Sequence, residues 1–432
     1  MTFKIGLLGL GTVGGGTAEI LLSPQGRNPL LREIEIYRVG GRSLERLQNH
    51  PLALSAALLT TDLEGIVTDP EIDIVVEAIG GIEPARSLLL KAIAHGKHIV
   101  TANKAVIARY GDEIFTAANQ AGVYVALEAS VGGGIPVIQP LKQALSVNRL
   151  SAVMGIVNGT TNYILTRMQA EKGKFADILA DAQKLGYAEA DPSTDVDGLD
   201  AADKIAILAS LAFGGRIKLA DVYCEGISQV DAADIAYAEK LGFNIKLLAI
   251  AQSCDPEANI LSVRVHPTLV PHTHPLASVS GVYNAILIEG EPIGQVMFYG
   301  RGAGAGPTAS AVVADILNIA ATLKTQPAPA LHPLLSCSHQ HYSAIAPIAD
   351  LVTRFYTRFL TQDLPGVIGK LGTCFGNHNV SIESIVQTGF QGELSEIVVV
   401  THDVREGNFR QALDEIRTLN SVDSIPSVLR VL

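Results

Sequence analysis

Residues 3–14 read FKIGLLGLGTVG, and this stretch decides the fold of the first part of the chain. The apolar run Lys4–Leu8 predicts a buried strand, and a helical pattern follows it to about Leu22. The turn between them carries three glycines, Gly9, Gly11 and Gly14. In that position the first glycine permits a tight turn, the second lets the backbone approach a pyrophosphate, and the third lets helix and strand pack closely. The stretch therefore predicts an α/β domain with a doubly wound sheet of the Rossmann type, which binds a dinucleotide.

The start of this predicted helix supplies the groups that would bind phosphate. Backbone amides in the first turn of a helix have no partner within it, and the helix dipole favours an anion beside them. We therefore expect the amides around Thr12 and Val13 to bind the phosphates of the cofactor. A glycine turn with a purely structural role is the alternative.

The end of the second predicted strand bears on which dinucleotide binds. That strand is placed at about residues 33–39, and Arg42 follows where an NAD-type site would have a carboxylate. An arginine there suits the 2′-phosphate of NADP. Glu35 has the sequence spacing of an NAD-type carboxylate, but it would lie in mid-strand. NADP(H) is therefore favoured, and NAD(H) stays possible.

The bulk properties are those of a soluble cytoplasmic enzyme. The chain has 432 residues, enough for two to three domains, and its net charge of −11 argues against binding nucleic acid or anionic membranes. No uninterrupted apolar run has the length of a membrane span, and no signal peptide is visible. The four cysteines lack disulfide or metal-site spacing, which fits a reducing compartment: Cys224, Cys254, Cys337 and Cys374.

Two further segments follow predicted strands, at the edge where open α/β sheets bind ligands. The first is Thr101–Lys104, so we expect Lys104 to face the nicotinamide and the substrate; a solvated loop lysine is the alternative. The second is the glycine-rich segment Glu128–Pro136, which lacks the Lys-Ser/Thr pair of a phosphate-binding loop. Its residues alone favour a plain turn over a cation site made from the Glu128 carboxylate and backbone carbonyls.

The segment Gly186–Lys204 is unusually acidic. It holds six acidic side chains and one lysine in nineteen residues, whereas 17% of the whole chain is charged. Its first part has the composition of a loop, and a helical pattern begins at Leu199, which makes Asp200 and Lys204 neighbours on one helix face. One interpretation is a solvated loop with a weak surface ion pair. The other is a polar pocket in which a carboxylate holds a lysine that moves a proton.

A second glycine-rich turn lies at residues 300–308, which read GRGAGAGPT. An alanine-rich helix is predicted after it, to about Leu323, and we expect this helix to pack back on the first domain. Between about residues 150 and 300 the pattern predicts an open sheet with helices on one face. Such a sheet suits a domain for substrate binding and dimerisation.

Taken in order, six motifs resemble the homoserine dehydrogenase family: GLGTVG, TANK, EASVGGGIP, NGTTNYIL, the Gly186–Lys204 segment and RGAGAGPTASAV. The resemblance covers about residues 1–325. It implies NAD(P)-dependent interconversion of L-homoserine and L-aspartate 4-semialdehyde, a step toward threonine, methionine and isoleucine. Two alternatives remain: another NADP-linked dehydrogenase of a related small amino acid or semialdehyde, and a catalytically silent amino-acid sensor.

The resemblance implies roles for the acidic segment. Lys204 would be the general acid/base, and Asp200 and Glu189 would bind the substrate. The chemistry agrees, because a lysine ammonium can stabilise and then protonate the alkoxide formed from an aldehyde. A carboxylate such as that of Glu189 can bind the ammonium group of an amino acid.

The resemblance also implies the cofactor and cation sites. Lys104 would lie beside the cofactor, and Gly186 and Gly304 would line the pocket shared by substrate and nicotinamide. A structural sodium ion would be held by one carboxylate and three backbone carbonyls, those of Glu128, Val131, Gly133 and Ile135.

The composition changes after Thr325. Residues 326–333 predict a proline-rich linker, and Cys337–His341 contains metal-ligand types without the second cluster that a zinc site needs. From about Asp350 the predicted order is βαββαβ, a ferredoxin-like arrangement. The turn Asp363–Val367 and the segment Asn379–Glu383 resemble an ACT domain. This resemblance implies feedback control by an amino acid such as threonine; a tail used only for oligomerisation is the alternative.

These observations predict three domains in a homodimer or homotetramer. No aspartokinase segment precedes the first motif, so we expect a monofunctional enzyme. The predicted divisions are a nucleotide-binding domain (1–149, completed by a helix at 308–324), a substrate-binding and dimerisation domain (150–307), a linker (325–349) and a regulatory domain (350–432).

Overall fold

The computed structural model describes residues 2–325, 331–336 and 341–432. The described chain divides into two compact units, each assembled from three separate stretches of sequence. The first unit comprises Met1–Val153, Asp203–Ala220 and Asn284–Ser343. The second unit comprises Met154–Ala202, Asp221–Tyr283 and Ala344–Leu432.

The strands and helices are numbered in chain order. The strands are β1 (Phe3–Leu8), β2 (Ile34–Gly40), β3 (Leu59–Thr60), β4 (Ile74–Glu77), β5 (His98–Thr101), β6 (Val125–Ala126), β7 (Arg149–Ile156), β8 (Tyr223–Cys224), β9 (Phe243–Asp255), β10 (Ile260–Pro271), β11 (Tyr283–Glu291), β12 (Gly294–Arg301), β13 (Ala344–Ile345), β14 (Val352–Gln362), β15 (Ile382–Gln391), β16 (Leu394–Thr401), β17 (Val404–Arg405) and β18 (Val422–Val431). The helices are α1 (Thr12–Leu22), α2 (Leu44–Gln48), α3 (Leu63–Thr68), α4 (Ala85–Ala94), α5 (Lys104–Ala121), α6 (Ile138–Lys142), α7 (Gly159–Glu171), α8 (Phe175–Lys184), α9 (Ser193–Val196), α10 (Leu199–Phe213), α11 (Ala232–Lys240), α12 (Ala305–Thr325), α13 (Val367–Asn377) and α14 (Glu406–Ile416).

The first unit contains a six-stranded parallel sheet in the order β3-β2-β1-β4-β5-β6. Strand β1 lies at its centre, where Ile5 is paired with Ile36 on one side and with Ile74 on the other. All four residues of β4 are buried, as expected for a parallel strand covered on both faces. The predicted doubly wound sheet is confirmed, and the ligand-binding edge lies at the carboxyl ends of these strands.

Helix α12 packs on α1 through small residues. A Cβ atom added at Gly16 would lie 2.8 Å from the carbonyl oxygen of Ala305 and 3.0 Å from the Cβ of Ala309. Further along α12, Val312 and Ile316 are buried in the core that also contains Ile5. By length and composition alone α12 could cross a membrane, but half of its most apolar window is buried within the protein. This burial is typical of a core helix.

The second unit is built on a mixed sheet in which β9, β10, β18, β14, β16 and β15 are consecutive neighbours. Strands β9 and β10 form a long antiparallel hairpin, and β18 joins β10 in parallel through the pair Thr268↔Arg430. Residues from 352 onward follow the order β14-α13-β15-β16-β17-α14-β18, and apart from the two-residue strand β17 this confirms the predicted βαββαβ arrangement. Its core contains stacked rings, with the centroids of Phe355 and Phe409 4.0 Å apart.

Candidate active site

The glycine loop before α1 is shaped to receive a ligand. Gly9 has a φ of +98°, and its N–H donates to the carbonyl of Gly40 at 2.8 Å, so the loop lies beside the end of β2. A Cβ at Gly14 would lie 1.9 Å from the carbonyl oxygen of Gly9, whereas a Cβ at Gly11 would meet nothing within 4 Å. Among the described residues, no side chain caps α1 at Gly11. The first amides of α1, at Thr12 and Val13, therefore have the arrangement that binds an anion.

Arg42 and Glu35 lie at opposite ends of β2. Arg42 is exposed and comes just after the last residue of the strand, close in sequence to Gly40, which contacts the glycine loop. Glu35 is the second residue of the strand and is paired with Lys4 at the other edge of the sheet. Of these two side chains, Arg42 alone is at the edge where the dinucleotide would bind.

Lys104 is the first residue of α5 and is half-buried. The residue before it, Asn103, caps the helix by accepting from the N–H of Val106 at 3.2 Å. The Asn103 side-chain amide also donates to the carbonyl of Gly81 at 2.7 Å, in the loop after β4. Two neighbouring strand ends are thereby joined, and Lys104 starts from a fixed backbone position.

Glu77 is a buried carboxylate that the sequence analysis did not identify. It is the last residue of β4 and accepts from the Thr101 hydroxyl at 2.6 Å and from the N–H groups of Ile79 and Gly80 at 3.0 and 2.9 Å. These contacts fix the loop after β4 and the end of β5, and Lys104 follows β5 closely in the sequence. An acidic residue that ends an otherwise apolar strand was the available signal.

Glu128 is 3% exposed and acts as a cap for α6. Its carboxylate accepts from three successive backbone amides at 2.6, 2.7 and 2.8 Å, those of Val137, Ile138 and Gln139. Burial raises the pKa of Glu128, and these three amides oppose that rise. The carboxylate thus satisfies the free donors at the start of a helix.

Asp315 on α12 is a second buried carboxyl group in this region. Its Oδ2 accepts from the backbone N–H of Glu128 at 2.8 Å, and Oδ1 has no hydrogen-bond partner among the described residues. Burial, reinforced by the charge of Glu128, raises the pKa of Asp315 to about 7. No cluster of three or more His, Cys, Asp or Glu able to hold a metal occurs in the part of the chain that the structure describes.

The remaining predicted cation ligands are backbone carbonyls in the loop between Glu128 and α6. Val131 and Ile135 are fully buried, and Gly133 has a φ of +54°. A Cβ at Gly133 would lie 2.3 Å from the carbonyl oxygen of Gly302, so the loop packs against the second glycine-rich turn. Gly304, with a φ of +125°, directly precedes α12 in that turn.

Asp200, near the start of α10, is buried rather than solvated, with 5% of its surface exposed. The side-chain amide of Asn158 donates to Asp200 Oδ2 at 2.8 Å and to Asp195 Oδ1 at 2.7 Å. Asn158 also caps α7 by accepting from the N–H of Thr161 at 2.8 Å. The NGTTNYIL turn therefore fixes the Asp200 carboxylate, a role for Asn158 that the sequence analysis missed.

Lys204 follows Asp200 by one turn of α10 and is half-buried. The boundary between the two units falls inside this helix, between Ala202 and Asp203. In the first unit Asp203 accepts from the Arg109 guanidinium at 2.9 and 3.0 Å, which joins α10 to α5. Helix α10 is thus fixed in each unit by a separate polar contact.

Glu189 and Gly186 lie in the exposed loop between α8 and α9. The side-chain amide of Gln183 donates to the carbonyl of Glu189 at 3.0 Å, and Gly186 ends α8 with a φ of +75°. A Cβ at Gly186 would meet nothing within 4 Å. The predicted substrate residues Gly186, Glu189 and Asp200 all belong to the second unit, and the other predicted site residues belong to the first.

A cavity of about 270 Å³ lies in the first unit between α5 and α10. Its lining is mostly apolar and includes Ile107, Phe115, Ile207 and Leu211. It contains none of the residues predicted for the site. We therefore assign the site from the strand ends and the helix termini, not from this cavity.

A second cavity, of about 260 Å³, lies in the βαββαβ module at the turn between β14 and α13. Asp363 and Gly366 line it, and Gly366 starts the helix with a φ of +87°. Gln387 faces it from β15 and donates to the Ser395 hydroxyl at 2.5 Å. The cavity thus lies at the turn whose sequence resembles an ACT domain.

Residues 326–330 of the predicted linker and residues 337–340 of the zinc candidate lie outside the described residues. Cys224, Cys254 and Cys374 are described, and none of them is in a disulfide within the described residues.

Comparison with known proteins agrees with this architecture along the whole chain. A homoserine dehydrogenase family model matches residues 136–317, its NAD-binding domain model matches residues 9–128, and an ACT domain model matches residues 355–420. A homoserine dehydrogenase of Synechocystis sp. is 66% identical over 434 residues, which cover 100% of both chains. One from Neisseria gonorrhoeae is 42% identical over 99% of this chain and 98% of its own.

Solved structures give the same result. The crystal structure of a homoserine dehydrogenase from Thiobacillus denitrificans matches with a TM-score of 0.93 and 42% identity, over 100% of this chain and 98% of that one. A hyperthermophilic archaeal homoserine dehydrogenase in complex with NADPH matches with a TM-score of 0.63 and 29% identity, over 75% of this chain and 98% of that one.

Proposed function

Because this chain belongs to the homoserine dehydrogenase family, we propose that Lys204 is the acid/base with which it interconverts L-homoserine and L-aspartate 4-semialdehyde. The chain is an oxidoreductase that acts on a CH–OH group. One observation carries the residue assignment: α10 holds the buried, anchored carboxylate of Asp200 and, one turn later, the half-buried Lys204. These two groups have the charges that the substrate and the reacting oxygen require.

The chemistry assigned to this chain is binding and proton transfer. The bound nicotinamide cofactor supplies or takes up the hydride. In the reducing direction the Lys204 ammonium stabilises the developing alkoxide and then donates a proton to its oxygen. In the oxidising direction the neutral amine accepts that proton. We propose that Asp200 binds and orients the substrate and that Glu189, on its exposed loop, binds the substrate ammonium.

The glycine loop fits a dinucleotide. Open space at Gly11 and the absence of a side-chain cap at that end of α1, among the described residues, suit a pyrophosphate bound by the amides of Thr12 and Val13. We propose that Arg42 favours NADP(H) through the 2′-phosphate, with NAD(H) as a possible second cofactor. Lys104, Gly186 and Gly304 are proposed to border the nicotinamide.

The sodium proposal rests on oxygen donors. The backbone carbonyls of Val131, Gly133 and Ile135 are hard ligands, the type that such a cation prefers. Glu128 accepts three amide hydrogens, which leaves one of about four lone-pair positions for an ion. The donor set therefore fits a single weakly held cation, whose expected contribution is to stabilise the loop.

Regulation is proposed to act through the ACT domain. ACT domains typically bind amino acids, and the cavity at the β14–α13 turn has an uncapped helix start at Gly366, among the described residues, together with the polar side chains of Asp363 and Gln387. L-Threonine, a product of the biosynthetic route, is the proposed effector. We expect excess L-threonine to lower the rate of semialdehyde reduction, measured by NADPH absorbance. Equal rates with and without it would refute this proposal.

The proposed division into domains follows the predicted bounds 1–149, 150–307, 325–349 and 350–432. The three family models support it, since their matches fall at 9–128, 136–317 and 355–420. The packing of α12 on α1 supports the assignment of helix 308–324 to the nucleotide-binding domain.

We propose that the working enzyme is a cytoplasmic homodimer or homotetramer. Strand β12 supports an oligomer, because both of its faces are at least partly exposed and Met297 and Tyr299 are large exposed side chains on it. A reducing compartment agrees with the sequence, whose four cysteines lack disulfide or metal-site spacing.

The central test is Lys204→Ala, assayed by NADPH absorbance with L-aspartate 4-semialdehyde. Loss of the proton donor should lower turnover by roughly 10²- to 10⁴-fold, the usual contribution of general acid–base catalysis. The KM for NADPH should be almost unchanged. Lys184→Ala, which removes an exposed lysine on α8, is the matched control and should behave as wild type. Unimpaired turnover in Lys204→Ala would remove the assignment.

A further inference from the structure

One short segment of the second unit contacts both the βαββαβ module from residue 352 onward, here called the C-terminal module, and the turn at residues 196–198 that leads into α10. This segment, residues 223–227, consists of β8 and the three residues after it. Strand β8 pairs in parallel with β10 through Arg264↔Tyr223. Strand β18 of the C-terminal module pairs with β10 further along, through Thr268↔Arg430. Segment 223–227 and β18 therefore share one neighbouring strand.

On the side of the C-terminal module, the contact is made by Arg430 of β18, which is 2% exposed. Its guanidinium donates to Glu406 at 2.9 and 2.6 Å, to Glu225 at 2.9 Å and to the Tyr223 hydroxyl at 3.1 Å. It also lies 4.8 Å over the Tyr223 ring. The Tyr223 hydroxyl donates to Glu225 at 3.0 Å. Two carboxylates and a ring thus fix the orientation of one buried guanidinium.

On the substrate side, the same segment holds the turn at residues 196–198. The N–H of Ile227 donates to the carbonyl of Val196 at 2.8 Å, and the thiol of Cys224 donates to the carbonyl of Asp197 at 3.3 Å. A Cβ at Gly226 would lie 2.2 Å from the carbonyl oxygen of Val196, so the two backbones are in direct contact. This turn leads into α10 two residues before Asp200.

We infer that Arg430 and Glu225 are positioning residues, which orient Asp200 through segment 223–227 and the turn at 196–198. The inference rests on the proposed role of Asp200 in substrate binding. A buried guanidinium that loses a carboxylate partner is left with an uncompensated charge. We therefore expect segment 223–227 to shift when the ion pair between Arg430 and Glu225 is broken. Because the backbone contact at Gly226 leaves no free space, that shift reaches the turn at 196–198 and moves the carboxylate of Asp200. The C-terminal module thereby acts on substrate affinity.

The experiment compares Glu225→Gln with Glu396→Gln in the full-length chain. Glu396, on β16, also accepts from a buried arginine of the C-terminal module, Arg358 of β14, at 3.2 Å, and its second partner is the Tyr237 hydroxyl of α11 at 2.8 Å. In Glu225→Gln we expect the KM for L-homoserine to rise roughly 5- to 20-fold, within the range of typical coupling between sites. The kcat and the KM for NADP should change less than about twofold. In Glu396→Gln the melting temperature should fall while the KM for L-homoserine stays at the wild-type value.

Arg430→Lys provides a graded second variant. It keeps the positive charge but loses the fork geometry and the stacking on Tyr223, so its KM for L-homoserine should lie between those of wild type and Glu225→Gln. Combining the two substitutions should raise KM no further than the larger single effect, because both break one connection. Multiplication of the two effects would overturn the inference.

Hydrogen exchange provides a readout that does not depend on catalysis. Backbone amides at residues 195–200 should exchange faster in Glu225→Gln than in wild type, and Glu396→Gln should leave them unchanged. Unchanged KM and unchanged exchange in Glu225→Gln would overturn the inference, as would equal KM increases in both variants. A wild-type chain that fails to oxidise homoserine would overturn the proposed function instead, and the exchange result would then still decide whether the segment positions the turn.

Discussion

Two glycine-rich loops in the first unit lead into helices, residues 9–14 into α1 and residues 128–137 into α6. They differ in whether a side chain satisfies the first amides of the helix. At α1, among the described residues, no side chain caps the helix at Gly11, and the space beside that glycine is open. At α6 the Glu128 carboxylate occupies the corresponding position and accepts from the first three amides. The first, here called the open loop, leaves these amides available to an external anion. In the second, the closed loop, a carboxylate of the same chain already accepts from them.

The difference explains why similar glycine patterns predict different functions. Glycines alone give a compact turn, but the function depends on which group satisfies the amides that follow. A carboxylate placed before the loop closes the helix start, and such a loop cannot bind a phosphate without displacing it. We therefore propose that the dinucleotide phosphates bind at the loop Gly9–Gly14 only.

The largest expected effect comes from adding one methyl group within the open loop. In Gly14→Ala the new Cβ would lie 1.9 Å from the Gly9 carbonyl oxygen, too close for any relaxation within the turn. We expect loss of soluble, folded protein. In Gly11→Ala the Cβ projects into free space, so the melting temperature should match wild type while the KM for NADPH rises by roughly 10- to 100-fold. Circular dichroism and steady-state kinetics measure the two effects, and normal NADPH affinity in Gly11→Ala would show that this loop is not the phosphate site.

A substitution in the closed loop should lower the stability of the protein and leave its affinity for the cofactor unchanged. Glu128→Gln removes the buried charge that three amides solvate, and we expect the free energy of unfolding to fall by about 3 to 5 kcal/mol, measured by denaturant titration. Glu71→Gln is the control: that exposed carboxylate pairs with Lys4 at the surface and should contribute almost nothing. Equal stability of Glu128→Gln and wild type would contradict the capping role.

The same pair of proteins tests the proposed sodium ion. If sodium binds at Glu128, replacing choline chloride by sodium chloride at equal ionic strength should raise the melting temperature of wild type and leave that of Glu128→Gln unchanged. An identical response of both proteins would refute the cation site while leaving the capping contacts intact.

The open loop was predictable from sequence because its function depends on neighbours within a few residues. The same is true of α13 (Val367–Asn377), the first helix of the predicted βαββαβ order, which begins at the predicted turn Asp363–Val367. The closed loop was interpreted less well, since nothing in a local pattern shows that the Glu128 carboxylate turns back to the amides of Val137 and its neighbours. Contacts between residues far apart in the sequence, such as that of Asn158 with Asp200, were not predicted for the same reason.

Some strands were also difficult to predict for a physical reason. Strand β9 (Phe243–Asp255) was not predicted, because its buried stretch reads as a nearly continuous apolar run without the alternation of a half-exposed strand. The strand predicted before Glu128 is short, with only Val125–Ala126 in sheet pairing. Tertiary packing decides whether a strand is buried on both faces. Such burial removes the alternation of apolar and polar residues from which a strand is predicted.

The smallest of the expected effects concerns Asp315, whose carboxyl group lies beside the closed loop. Burial raises its pKa to about 7 in the folded chain, against about 4 for an unfolded aspartate. The folded state therefore keeps a proton that the unfolded state releases between these values, so stability is greatest at low pH and falls as the pH rises toward 7. Between pH 5 and pH 7 this group alone should cost wild type about 2 to 3 kcal/mol relative to Asp315→Asn, whose side chain does not titrate. Denaturant titrations of both proteins at pH 5, 6, 7 and 8 measure the difference. If the two show the same pH dependence, the pKa of Asp315 is not raised in the folded chain and this prediction is wrong.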